Sequence, residues 1–248
     1  MFIFRNELYN IYDDICKLNE RRDVKMKMLV ASDIHGNYGI AQKLSVIATN
    51  EEVEAILILG DITHFGTFED AEYILKLFSD TEIETFYIPG NVDSRVLLKK
   101  PINLPYIRYT HGKGHIIADI TIVGAGGSIP TPFNTMIEFS EDTLEKILED
   151  GIKDLDGKKI DVLMTHTPPY GTALDLAGKI EHVGSKIVRK TIEKYQPVIS
   201  LSGHIHESRA IDRIDKTLLI NPGAAALGYY ALIEVTHDSA EGELKIAV

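Results

Sequence analysis

Five short apolar runs in this chain each stop at a residue that can hold a metal ion. MLVAS leads into Asp33 and His35, AILILG into Asp61, and ETFYIPG into Asn91. DVLMT leads into His166, and VISLSG into His204 and His206. The runs lack the polar–apolar alternation of a half-exposed strand, so each reads as a strand buried on both faces. In an open α/β sheet the carboxyl ends of such strands share one rim. Residues two apart in an extended segment also share a face, so Asp33 with His35, and His204 with His206, converge in pairs. The pattern predicts a layered α/β fold with its polar donors gathered at one edge.

The segments between the runs set the rest of the architecture. Ile40, Leu44 and Ile47 place one apolar face on a helix over 37–49, and a second helix is predicted near 69–79. Further along, HIIADI turning into TIVGAG reads as a hairpin, and SRAIDR, TLLIN and YYALIEV read as closely spaced strands. An α/β first half running into a partly antiparallel second half fits two packed mixed β-sheets flanked by α-helices. No linker or repeat divides residues 25–248, which read as one domain. Residues 1–24 stand apart. Phe4, Leu8, Ile11, Tyr12, Ile15 and Leu18 recur at helical spacing and predict an amphipathic extension. It would pack on the domain or on a second copy, as a route to a homo-oligomer.

Composition excludes several classes of partner. The formal charge is −11 with no long basic run, so bulk nucleic-acid binding is not expected. The single cysteine, Cys16, rules out an internal disulfide framework and fits a reducing compartment. No apolar run nears the roughly 18 residues of a membrane span, and the N-terminus lacks a signal-like core. A cytoplasmic protein is the expectation.

Asp33, His35, Asp61, Asn91, His166, His204 and His206 are more donors than one metal needs. Two-metal sites hold their ions about 3.5–4 Å apart across a shared ligand. Asp61, alone on its strand end, is the natural bridge. Mixed imidazole and carboxylate donors without thiolate suit manganese, iron, zinc or nickel, with manganese expected first.

SDIHG, GD, GNVD, THTPP and GHIH, in this order over residues 29–206, resemble the motif series of the calcineurin-like metallophosphoesterases. The following Asn221-Pro222-Gly223 also resembles a common family feature. The resemblance implies a four-layer αββα fold. It further implies that Asp33, His35, Asp61 and His206 hold one ion, and that Asp61, Asn91, His166 and His204 hold the other. The chemistry it implies is hydrolysis of a phosphate ester by a metal-bridging hydroxide, since metal binding brings the pKa of water near 7. Asn91 would bind metal through its carbonyl and donate its amide N–H to phosphate.

Two positions depart from the family pattern. The family places a histidine after the motif asparagine, as proton donor to the leaving oxygen. Here that residue is Val92, although Asp93 remains. General acid catalysis is typically worth ~10²–10⁴-fold and matters most for poor leaving groups, so phosphodiesters and other esters with good leaving groups are the expected substrates. Phe65 stands where protein Ser/Thr phosphatases carry a phosphate-clamping arginine, which argues against a protein substrate.

His64, three residues after Asp61, is the candidate to contact substrate or supply the missing proton, and His111 is a weaker one. Asp93 is expected to bind turn amides. His115, His182 and His237 read as structural or surface residues. Tyr170, Gly171, Thr131, Pro132 and Phe133 would shape the mouth of the site. Two other readings compete. A non-catalytic scaffold could keep this fold and bind partners with its surface, but all seven donor positions remain competent here. A repair nuclease would require a basic groove or a DNA-capping domain, and the acidic composition argues against it.

Overall fold

The structure, a computed structural model, describes residues 24–178 and 180–247. The helix expected over residues 1–24 therefore lies outside the described residues, apart from Val24.

The buried runs form the strands they predict. β1 (Met26–Ala31), β2 (Ala55–Ile58) and β3 (Glu84–Tyr87) lie parallel, joined by β4 (Ile107–Tyr109). β13 (Tyr229–Val235) and β14 (Ala240–Ile246) extend the same sheet antiparallel, giving the order β14-β13-β1-β2-β3-β4. The second sheet has the order β11-β12-β10-β7-β6-β5. Its strands are β5 (Lys113–Ile117), β6 (Ile120–Ala125), β7 (Val162–Thr165), β10 (Ile199–Leu201), β11 (Ala210–Ile214) and β12 (Thr217–Asn221). The expected hairpin is β5–β6, turning through Ala118 and Asp119, both at positive φ. β8 (Leu176–Ala177) and β9 (Glu181–His182) make a small separate hairpin in the loop after β7.

Side-chain alternation divides each central strand between two cores. Met26, Met28 and Val30 of β1 face inward, meeting Val162 and Met164 of β7 and Ile199 of β10 between the sheets. Leu29 and Ala31 face outward onto α1 (Tyr38–Asn50) and α2 (Phe68–Ser79), through Leu44, Ile74 and Phe78. On the other side, Val123 and Leu163 pack under α3 (Glu141–Lys153) and α4 (Lys186–Tyr195), through Leu144, Leu148, Val188 and Ile192. Each fully buried side chain of this kind contributes roughly 1.5–3 kcal/mol relative to exposure.

The helices start where capping chemistry dictates. Asn37, Thr67, Ser140 and Ser185 each accept a backbone N–H with the side chain, and Thr67 forms a reciprocal capping box with Asp70. The result is two mixed sheets flanked by helices. The carboxyl ends of β1, β2, β3, β7 and β10 meet at one rim. Among the described residues no helix is long and apolar enough to cross a membrane.

Candidate metal centre

The loops that leave these strands are stitched to one another by backbone hydrogen bonds. Asp33 N–H donates to Gly60 O, His35 N–H to Asp61 O, and Gly36 N–H to Ile62 O, at 2.9–3.0 Å. At the end of the second sheet, His166 N–H donates to Ala125 O and Gly203 N–H to His166 O. Two motif glycines make room for the carboxylates. A Cβ at Gly90 would lie 2.0 Å from Asp61 Oδ1, and one at Gly203 would lie 1.8 Å from Ser32 Oγ and 2.7 Å from Asp33 Oδ2. Only glycine fits at either place.

Four donor residues hold an unusual backbone. Asp33, His35, Asp61 and His204 have φ of 57°, 49°, 48° and 67°, in the left-handed region that costs a non-glycine residue about 1–2 kcal/mol. Such strain persists where surrounding contacts over-determine it, and it clusters at functional sites.

The seven expected donors come together in two adjoining groups. Ligand atoms of Asp33, His35 and His206 lie within 4.8 Å of one another, and so do those of Asp61, His166 and His204. Asp61 reaches toward both, with Oδ2 3.9 Å from His35 Nε2 and Oδ1 3.5 Å from His166 Nε2. Asn91 joins the second group through Oδ1, 2.8 Å from His166 Nε2. Asp33 accepts from His204 N–H at 3.1 Å and lies 3.2 Å from His206 Nε2.

The ring nitrogens face acceptors and one another at short range. His166 Nδ1 lies 2.8 Å from Leu59 O, a pure acceptor, so that nitrogen carries the proton. In the neutral ring Nε2 is then an acceptor facing the Asn91 oxygen, another acceptor. His35 Nε2 and His206 Nε2 face each other at 3.1 Å, and only one can donate unless a ring is charged. The electrostatics demand positive charge at the same spot. Burial opposes charging of His166, but Asp61 and Asp33 outweigh it and push the imidazole up to about 9. Burial also raises the Asp33 carboxyl, yet the His206 hydrogen bond and neighbouring imidazoles hold it well below the usual carboxylate range. His204 is pushed down to about 4 by burial and then by His166. A converging set of carboxylates, imidazoles and one amide that draws positive charge to its centre fits two borderline divalent cations.

The remaining expected residues divide. His64 is exposed and adjoins the centre, its Nδ1 3.3 Å from His35 Nδ1 and its ring stacked edge-on against Phe65. His111 has another role: its Nδ1 accepts the Gly126 N–H, and burial pushes it down to about 4, poorly suited to holding a proton. Val92 is buried, and its N–H donates to Asp61 Oδ1 at 3.0 Å. Asp93 serves the turn, accepting from the N–H groups of Gly90, Ile62 and Thr63 and from the Thr63 hydroxyl. Tyr170 and Phe133 are exposed. His115 is tied to Tyr109 O and His182 to Asp175.

Sequence reasoning missed Thr135 and Glu138. Thr135 Oγ1 accepts from Asn91 Nδ2 at 3.0 Å and donates to Glu138 Oε1 at 2.7 Å. The T-x-x-E spacing of a capping box marks them, although no helix begins there.

Known proteins resemble this chain in sequence and in fold. A protein of Methanocaldococcus jannaschii, itself uncharacterized, is 36% identical over 210 residues, covering 83% of this chain and 91% of that one. A 3',5'-cyclic-nucleotide phosphodiesterase of Nostoc is 27% identical over 101 residues, 35% of this chain and 37% of its own length. A crystal structure from Thermus thermophilus superposes with a TM-score of 0.69 at 17% identity, over 91% of this chain and 100% of that one. The sequence model for calcineurin-like phosphoesterases matches residues 26–208, so the motif order, the two-sheet fold and the paired donor groups have one explanation: the chain belongs to the calcineurin-like phosphoesterase family.

Proposed function

We propose that this chain is a dinuclear metal-dependent phosphoesterase that cleaves phosphodiesters, or other phosphate esters whose leaving group departs without a strong acid. The observation that carries this reading is the convergence of carboxylate, imidazole and amide groups in two adjoining clusters, Asp33 with His35 and His206 and Asp61 with His166, His204 and Asn91, with Asp61 reaching toward both. Asp33, His35 and His206 would hold one ion, and Asn91, His166 and His204 the other, with Asp61 shared. Two such ions, manganese in the first instance, would supply Lewis acidity and lower the pKa of water.

The side chains do the rest. His166 is held by Leu59 O with Nε2 facing the centre, so its lone pair is fixed toward a cation. Asn91 spends one amide N–H on Thr135 and has a second to donate to a phosphoryl oxygen. Val92 offers no proton to the leaving oxygen. His64, exposed beside His35, is positioned to contact the substrate or to provide that proton. The preference for diesters is supported by Val92 and by similarity to the Nostoc phosphodiesterase over a third of this chain. No observation favours the scaffold reading, which would let the donors drift apart.

The test is metal reconstitution. Chain stripped by a chelator and reloaded with manganese, iron, zinc or nickel is assayed on an aryl phosphodiester and an aryl monoester. Metal-restored hydrolysis with the diester preferred is expected. Absence of turnover with all four ions would replace this reading with a metal-binding scaffold.

A further inference from the structure

Asn91 presents a problem of orientation. The two ends of its amide are nearly equal in size, but only the oxygen can bind a cation. Packing alone does not choose between them, so something must distinguish oxygen from nitrogen on the far side.

That contact is Thr135 Oγ1, 3.0 Å from Asn91 Nδ2. A hydroxyl has one proton, and here it is already committed, to Glu138 Oε1 at 2.7 Å. Glu138 fixes this direction because an ionised carboxylate only accepts. The same oxygen takes the Thr131 hydroxyl at 2.7 Å and the Thr135 N–H at 2.8 Å. Burial pushes the Glu138 carboxyl up, but these hydrogen bonds outweigh it and keep the group below its ordinary value. With its proton spent, Thr135 can only accept from Asn91. The amide nitrogen is drawn outward, and the oxygen is left 2.8 Å from His166 Nε2. The loop is also pinned at the backbone: Ile137 N–H donates to Asn91 O at 2.9 Å, and Phe139 N–H to Ser128 O.

We propose that Thr135 and Glu138 are positioning residues, a directional hydrogen-bond pair that holds the Asn91 carbonyl toward one of the two metal positions. This rests on Asn91 being a ligand of that position. Thr131 supports the pair by keeping Glu138 an acceptor.

Calorimetric titration of metal-free protein with manganese tests it. Wild-type chain is expected to take two ions. Thr135→Val keeps the shape but loses the hydroxyl, and should weaken one ion by about 10–100-fold, the usual effect of losing an outer-shell partner, while sparing the other. Thr135→Ser should restore it. Glu138→Gln, whose amide can donate to Thr135 and release the hydroxyl proton, should weaken the same ion. In an Asn91→Ala background Thr135→Val should have no further effect, which a merely structural role would not produce. Wild-type uptake in Thr135→Val, equal weakening of both ions, or failure of Thr135→Ser to recover would each overturn the proposal. Wild-type uptake in Glu138→Gln would remove Glu138 from the pair. A wild-type chain that takes no second ion would overturn both this proposal and the dinuclear reading, whereas two ions in wild type with Thr135→Val unaffected would overturn only the positioning role.

Discussion

A histidine meets two aspartates at both edges of this fold, with opposite consequences. At the amino ends of β6 and β7, His237 Nδ1 lies 3.3 Å from Asp161 and Nε2 3.4 Å from Asp119. Asp161 also accepts the N–H and hydroxyl of Thr121, and Lys158 adjoins Asp119 at 3.4 Å. There, Thr121 and Lys158 donate to the carboxylates, while the buried His237 Nε2 makes no hydrogen bond. At the carboxyl rim the nitrogens of His35 and His206 face each other, and His166 faces the Asn91 oxygen. The residue types are alike, but among the described residues the carboxyl rim brings ligand atoms of three such side chains together twice over, in adjoining groups, and the amino-end cluster does not. Convergence of several such side chains, rather than composition, distinguishes the candidate metal centre from a polar cluster.

Paired substitutions can break this contrast. Asp61→Asn is expected to lower turnover at least about 10³-fold, the scale of losing a central electrostatic group, and to weaken metal uptake. Asp161→Asn should leave metal uptake unchanged and cost about 1 kcal/mol of stability. Parallel titrations and thermal melts would read both, and weakened uptake in Asp161→Asn would erase the distinction.

His111 sharpens it from the other side, as a histidine whose lone pair is satisfied by a backbone N–H. Its folded-state value is about 4. Unfolded histidine titrates near about 6.5, so neither state is charged well above that pH. Between the two values the unfolded chain binds a proton that the folded chain refuses. Stability should therefore fall as pH drops from about 6.5 toward 4, by up to about 3 kcal/mol. Denaturant unfolding of wild type and His111→Asn, whose side-chain oxygen can still accept from Gly126, would show a flatter pH dependence in the variant. Parallel curves would refute the assignment.

Smaller effects are expected at the substrate. Val92→His should raise monoester turnover about 10²-fold relative to diester turnover, if a missing acid is the limitation. An unchanged ratio would count against it. His64→Ala should lower diester turnover about tenfold, the scale of one hydrogen bond to a charged group, without changing metal uptake. Identical kcat and KM would remove His64 from the reaction.

The central strands were legible because burial on both faces leaves mostly apolar runs, and the polar residues that follow them stand at the rim. The edge strands of the first sheet were not. β14, AEGELKI, carries charges along a half-exposed edge, and β4 is only three residues long. The helices under β6 and β7 were expected only as an outer layer, although Leu144, Leu148, Val188 and Ile192 mark their buried faces. At the rim, which side chains come together was readable from their places in the chain. The polarity of the Asn91 amide was not, since it is set by Thr135, 44 residues away. Left-handed backbone at Asp33, His35, Asp61 and His204 was equally hidden, since none of these is a glycine.

Those four backbone conformations place tolerance and chemistry in direct conflict. Glycine at any of them would relax the main chain while deleting a donor, so a substitution that stabilises the fold would disable the centre. Selection for thermal robustness alone, in a library screened without regard to turnover, should therefore enrich glycine at His35, whose ring holds no backbone N–H, ahead of Asp33 and Asp61, whose carboxylates accept the N–H groups of His204 and Val92. The rim would erode first, while the interior between the sheets stayed unchanged.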